Sequence, residues 1–108
     1  MLILPIKKKW FDMILSGEKK EEYRLVKPYW TKRFEKVFGM YAGIPIDHTQ
    51  RPIVFKNGYR PDSPSFIAYC SLSVNAGRMK EEWGYEPGYD YYVLTIHDIM
   101  KTENVGGR

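Results

Sequence analysis

The sequence predicts an α+β domain, mainly β: a small pseudo-β-barrel of about five or six short strands, with two N-terminal helices packed beside it. Three observations carry this. The chain has 108 residues, the size of one domain, and 44% hydrophobic with 28% charged residues is globular composition. At least five short segments read as strands, while helical spacing of apolar residues appears only before residue 40. The strands do not alternate regularly with helices, which disfavours a doubly wound parallel sheet, and closing the sheet removes exposed edges.

The elements follow in order. Residues 1–4 are a short apolar strand. Ile6 to Ser16 is a helix: Trp10 and Ile14 are four apart, as are Phe11 and Leu15, so two adjacent rows form one apolar face. Gly17 suits the left-handed residue that ends a helix. Lys7, Lys8 and Lys9 stand in the first turn, against the helix dipole, so they either cost a little stability or serve another purpose. Glu18 to Val26 is extended. Pro28 opens a second helix, because the first helical position needs no N–H donor. Trp30, Phe34, Val37 and Phe38 form its apolar face, Lys32, Arg33, Glu35 and Lys36 its wet face, and Gly39 stops it.

Residues 40–51 read as loop. Ile53-Val54-Phe55 is a strand ending at the turn pair Asn57-Gly58. Pro61 and Pro64 make the next stretch a loop. Phe66 to Val74 alternates most cleanly. Residues 75–90 hold a polar turn or short helix near Met79–Trp83, then the turn pair Pro87-Gly88. Tyr91 to Ile99 is the last strand, with Tyr92, Leu94 and Ile96 on one face. Residues 1–108 form a single domain, and Asn104 to Arg108 are predicted to fray.

Composition excludes several classes. No apolar run approaches the ~18 residues that span a bilayer, and the lysines follow the first apolar stretch where a signal peptide has them before it. A membrane partner is therefore not expected. Cys70 is the only cysteine, so no internal disulfide forms, and a cytoplasmic location fits. One Cys and two His, His48 and His97, show no zinc-binding spacing, so no structural zinc is expected; the thirteen carboxylates leave loose magnesium binding open, and no cofactor motif is present. There is no phosphate loop and no dinucleotide fingerprint. The net charge of +4 permits an anionic partner without demanding one.

The densest chemistry lies in Gly17-Glu18-Lys19-Lys20-Glu21-Glu22-Tyr23-Arg24. Strand alternation puts Lys20, Glu22 and Arg24 on one face and Glu21 and Tyr23 on the other. Glu22 and Arg24 are then about 7 Å apart at Cα, close enough to share a ligand or pair. Lys19 has the wrong parity and joins them only if it sits on the turn before the strand. The plain alternative is a solvated strand carrying a surface ion pair, worth ~0–1 kcal/mol.

The spacing Gly17-x-Lys19-x-x-Glu22-x-Arg24, after a helix over Lys8–Ser16, resembles the GxKxxExR signature of ASCH domains. Leu4-Pro5-Ile6-Lys7-Lys8-Lys9-Trp10 and Ile14-Leu15-Ser16-Gly17 are similar to that family as well, and the resemblance covers residues 4–34. It implies a PUA-like fold with a cleft containing Lys19, Glu22 and Arg24. It also implies RNA or nucleotide binding, while a few members are hydrolases. One group deacylates N4-acetylcytidine with Lys, Thr and a distant Glu. There the Thr stands at the position of Glu22 and the Lys at that of Lys19. A carboxylate cannot replace the threonine hydroxyl as acyl nucleophile in the same mechanism. Glu22 would act instead as general base toward water, with Lys19 as electrostatic stabiliser. Glu81, Glu82 and Glu86 are candidates for the distant carboxylate.

A second constellation interleaves rings and cations: Tyr23, Arg24, Lys27, Tyr29, Trp30, Lys32 and Arg33. Bases stack on rings and cations neutralise phosphates. The spacing of Trp30 with Phe34 and Phe38 marks it as core, whereas Tyr23 and Tyr29 are freer to stack. A third, Trp83 to Tyr92, either roofs a pocket or caps one barrel end, and capping is favoured. Asn57-Gly58-Tyr59-Arg60 is a loop within reach of the cleft. His97 is read as a partnered structural residue, and Cys70 as buried and inert. The leading reading is an RNA- or nucleotide-binding domain. Lys19 and Arg24 contact phosphate or a base edge, Glu22 accepts a hydrogen bond, and Tyr23 or Tyr29 stacks. A hydrolase or ribonuclease is the alternative.

Overall fold

A computed structural model describes residues 1–105. Its order is β1 (Ile3–Pro5), α1 (Lys8–Leu15), β2 (Glu21–Leu25), α2 (Pro28–Glu35), β3 (Met40–Tyr41), β4 (Ile44–Pro45), β5 (Arg51–Lys56), β6 (Ser65–Val74), a short 3₁₀ turn (Glu81–Trp83) and β7 (Tyr91–Glu103). Five strands form one curled half-barrel sheet in the order β1-β5-β6-β7-β2, and β3 and β4 form a separate hairpin. Only the β1–β5 pair is parallel. The α+β, mainly β class with two N-terminal helices is as the sequence predicts.

Strand alternation builds two apolar layers. Leu4, Ile53, Phe55, Phe66, Ala68, Cys70, Leu72, Tyr92, Leu94 and Ile96 face inward, and Phe11 and Ile14 of α1 and Phe34 of α2 pack on them. The opposite face of β2 and β7 is also covered. There Tyr23, Tyr91 and Val93 pack with Trp83 from the 3₁₀ turn. The Trp83 segment therefore covers the outer face of β2 and β7, where the sequence reading favours a cap on one barrel end. Both faces of β7 are buried over Tyr91–Leu94, which alternation in this strand alone does not reveal.

Several boundaries move. Residues 40–45 form the β3–β4 hairpin where a loop is expected, because two-residue strands carry too few positions to show a period. Tyr92 ties this hairpin down, its hydroxyl donating to the Gly43 carbonyl at 2.8 Å and lying 2.7 Å from the Thr31 hydroxyl. β7 runs on to Glu103, because β6 pairs with it through two irregularities in register. Of the predicted frayed tail, Val105 packs against the core, and residues 106–108 lie outside the described residues.

The sheet's two edge strands, β1 and β2, approach each other through α1, which connects them. The Arg24 guanidinium on β2 donates to the Pro5 carbonyl on β1 at 3.0 Å. One side chain thus bridges the seam of the half-barrel, and the cleft described next opens there.

Candidate functional site

The site begins where α1 ends. Gly17 adopts φ +85°, which only glycine takes without a Cβ penalty. The Gly17 amide bonds back to Ile14 and the Lys19 amide to Met13, so the chain reverses in one tight turn. Strand β2 starts only at Glu21, which leaves Lys19 on the turn with its parity free. That satisfies the condition under which Lys19 joins the Glu22 face.

Glu22 and Arg24 point to the inner face, opposite Leu94 and Tyr92 of β7. The Glu22 carboxylate stands between two cations. Its Oε1 is 3.2 Å from Lys19 Nζ, and its Oε2 accepts from Arg24 at 2.8 Å. Lys19 is 1% exposed, and its ammonium also donates to the Trp83 carbonyl. The rings of Trp10 and Tyr23 stand 4.6 and 5.0 Å away from it. Burial pulls the Lys19 pKa below the ordinary lysine value, and Glu22 opposes that shift. One carboxylate offsets two cations in a place where an unpaired charge would cost several kcal/mol, on the order of a whole domain's margin. The plain alternative of a solvated surface pair does not describe this buried triad.

A cleft of about 370 Å³ opens over the Glu22–Arg24 pair. Trp10, Trp30 and Tyr91 stand in its walls, and the exposed Lys7 and Lys27 lie at its rim. Arg24 lies 4.8 Å from the Trp30 ring, a cation–π contact. The volume is in the range of small-ligand sites.

The structure brings four of the five expected residues together: Lys19, Glu22, Arg24 and Tyr23. Their roles differ from those expected. Lys19 does not line the cleft, so it cannot contact a ligand there; it acts by holding Glu22. Tyr23 borders the cleft but is not a free stacking face. It is 8% exposed, its ring packs against Tyr85 and Tyr91, and its hydroxyl donates to Glu21 and accepts from the Lys80 amide. Tyr29 lies outside the cleft on α2, exposed, with its ring edge-on to Trp30. Trp30 is only partly buried and lines the cleft as well as touching Phe34.

Glu81, Glu82 and Glu86 are exposed, and none lines the cleft. His97 is partnered, its Nε2 lying 2.8 Å from the Ser71 hydroxyl. Cys70 is buried, and its thiol pKa is pushed up by that burial. No cluster of three His, Cys, Asp or Glu side chains suited to a metal occurs among the described residues. No described helix is long and apolar enough to cross a membrane.

Trp10 escaped the sequence reading, while Lys7 and Tyr91 stand out in the sequence without being assigned to this cleft. Trp10 reads as helix core by its spacing with Ile14. The signal that it does more is its setting beside the lysines that oppose the helix dipole. Glu21 was missed as well. It is buried and accepts from the Arg78 and Met79 amides at 2.8 and 3.0 Å. Compared with family models, curated proteins and solved structures, the chain matches none.

Proposed function

We propose that this chain binds RNA or a nucleotide in the cleft at the β1–β2 seam. The carrying observation is the Arg24 guanidinium, fixed by Glu22 and the Pro5 carbonyl at a cleft with aromatic walls and two lysines at its rim. A pre-oriented guanidinium loses little entropy when it takes an anion or a base edge. Trp10 and Tyr91 offer apolar ring surface to a base, and Lys7 and Lys27 offer charge to a phosphate. The resemblance of Gly17, Lys19, Glu22 and Arg24 to the ASCH signature supports the same reading.

Hydrolysis, with Glu22 as general base and Lys19 as stabiliser, is the weaker reading. Both Glu22 oxygens already accept from cations, and Lys19 stands outside the cleft, on the far oxygen. A base needs a free lone pair aimed at water.

The test is titration of the protein with adenosine and uridine monophosphates, followed by amide NMR. Shifts are expected on residues 5–10 and 22–27. The double variant Lys7→Glu, Lys27→Glu changes only exposed side chains, so it folds, and it is expected to weaken binding at least about tenfold. An affinity indifferent to both charge reversals overturns the assignment. Product appearing during the titration, and lost in Glu22→Gln, would favour the hydrolase.

A further inference from the structure

We propose that the ligand is a single-stranded nucleic-acid chain and not a free nucleotide, with one unit in the seam cleft and the adjoining phosphates on an exposed stripe of α2. This rests on the cleft reading above and extends it. The stripe is Tyr29, Lys32 and Arg33 of α2 with Lys36 at its C-cap, spaced i, i+3, i+4, i+7, which follows one face of the helix. The opposite face of the same helix, Trp30 and Phe34, packs inward. Trp30 joins the two regions, because it lines the cleft and touches Tyr29 with ring centroids 4.9 Å apart.

The stripe has structure of its own. The Arg33 guanidinium lies 3.4 Å from the Tyr29 ring centroid and donates to the Tyr29 carbonyl at 3.0 Å. Tyr29 nevertheless remains 55% exposed. Lys32, Arg33 and Lys36 border a groove of about 470 Å³ whose other lining residues are the apolar Met1, Leu2 and Val37. No carboxylate lines it. Lys27 at the cleft and Lys36 at the far end are roughly 13 Å apart along the helix.

Lys7, Lys27, Lys32, Arg33 and Lys36 have no ion-pair partner among the described residues. Lys9, Lys20, Arg51, Lys56, Arg78 and Lys80 are unpaired as well, so what sets this track apart is the row of cations beside exposed rings. Complementing the helix dipole explains a cation in the last turn, worth ~0.3–1 kcal/mol. It does not explain the stacked aromatic, the acid-free groove or the lysines across the cleft. Cations in a row beside exposed rings suit a polyanion with bases.

The experiment compares an eight-nucleotide mixed-sequence single-stranded RNA with uridine monophosphate on wild type and on K32A/R33A/K36A. Lys32 and Lys36 are exposed and Arg33 is half-buried, and circular dichroism checks the fold. The octamer is expected to bind wild type at least about tenfold more tightly than the mononucleotide. The triple variant is expected to lose octamer affinity by on the order of a hundredfold at low salt. The slope of log K on log salt falls by about 2, because about 0.7 of an ion is released per phosphate. Mononucleotide affinity stays unchanged. Equal binding of octamer and mononucleotide, or an octamer indifferent to the triple variant, overturns the track and leaves the cleft reading standing. Binding of neither ligand overturns both. Vesicles with anionic lipid provide the last arm: vesicle binding lost in the triple variant, with no octamer binding, makes the stripe a lipid-surface contact and overturns the proposal.

Discussion

Glu21 and Glu22 are neighbours of one residue type on one strand, yet they do opposite work. Glu22 faces the inner side and gathers cations, Lys19 and Arg24. Glu21 faces the outer side and gathers neutral donors: the Tyr23 hydroxyl and the amides of Arg78 and Met79. The first arrangement sets a guanidinium at the cleft. The second pins the chain between β6 and the 3₁₀ turn, and with it Trp83, whose carbonyl in turn receives Lys19. A carboxylate's function here is decided by which side of the pleat it occupies. Inside the seam it neutralises buried charge; outside, it replaces water for backbone amides that no strand pairs.

The largest expected effect comes from breaking the inner side. Glu22→Gln leaves Lys19 and Arg24 facing each other without an anion, and should cost about 3–5 kcal/mol in urea unfolding. Lys19→Met should cost clearly less, because Arg24 still neutralises Glu22 and the methionine keeps the contact with Trp10. Equal losses in the two variants would show that the triad is not organised around Glu22.

Breaking the outer side comes next. Glu21→Ala strands two amides and a hydroxyl, for an expected loss of about 3 kcal/mol. Its effect on nucleotide affinity, measured on the folded protein, should be small. An affinity loss matching that of the rim variant Lys7→Glu, Lys27→Glu would mean that the two sides are not separable. Gly77→Ala probes the same contact from the loop. The glycine has φ +141°, and an added Cβ would lie 2.6 Å from Glu21 Oε2, so a loss of about 1–3 kcal/mol is expected.

The smallest effect is a slope. Burial first, and the bond to Glu21 second, raise the Tyr23 pKa above its ordinary 10.0. Above pH 10 the unfolded chain releases a proton that the native chain keeps, so stability falls as pH rises. Lys19 has the opposite sign: between its lowered pKa and 10.5 the native chain lacks a proton that the unfolded chain holds, so it adds stability with rising pH. Above pH 10.5 that opposing contribution is complete. Urea midpoints taken there should fall less steeply in Tyr23→Phe than in wild type. Some slope remains, since the pKa values of Cys70 and Tyr91 are also raised. Identical slopes would show that Tyr23 ionises as freely in the native state as in the unfolded one.

Much of the cleft was legible as pattern. The spacing of Gly17, Lys19, Glu22 and Arg24 is a sequence fact, and so is the parity that puts Glu22 with Arg24 and Glu21 with Tyr23. Helical spacing located both helices, and the break at Gly17 located the turn that frees Lys19. The roles of Lys19 and Tyr23 were not legible. Each was read as an exposed contact, because charged and hydroxylated side chains usually face water. What covers them comes from Trp83 and residues 78–80, more than fifty positions away.

The sequence by itself determined most of the local quantities: the two helices, the longer strands, the turn at Gly17, and which side chains share a face of β2, though not the β3–β4 hairpin or the end of β7. Those follow from backbone geometry and short-range spacing. Only the tertiary structure decided that β1 and β2 meet at a seam, that Arg24 bridges it, and that Trp10, Lys7 and Tyr91 complete the cleft. The reason is physical. Periodicity says which way a side chain points relative to its own element. Burial and charge compensation depend on what the rest of the chain places opposite it.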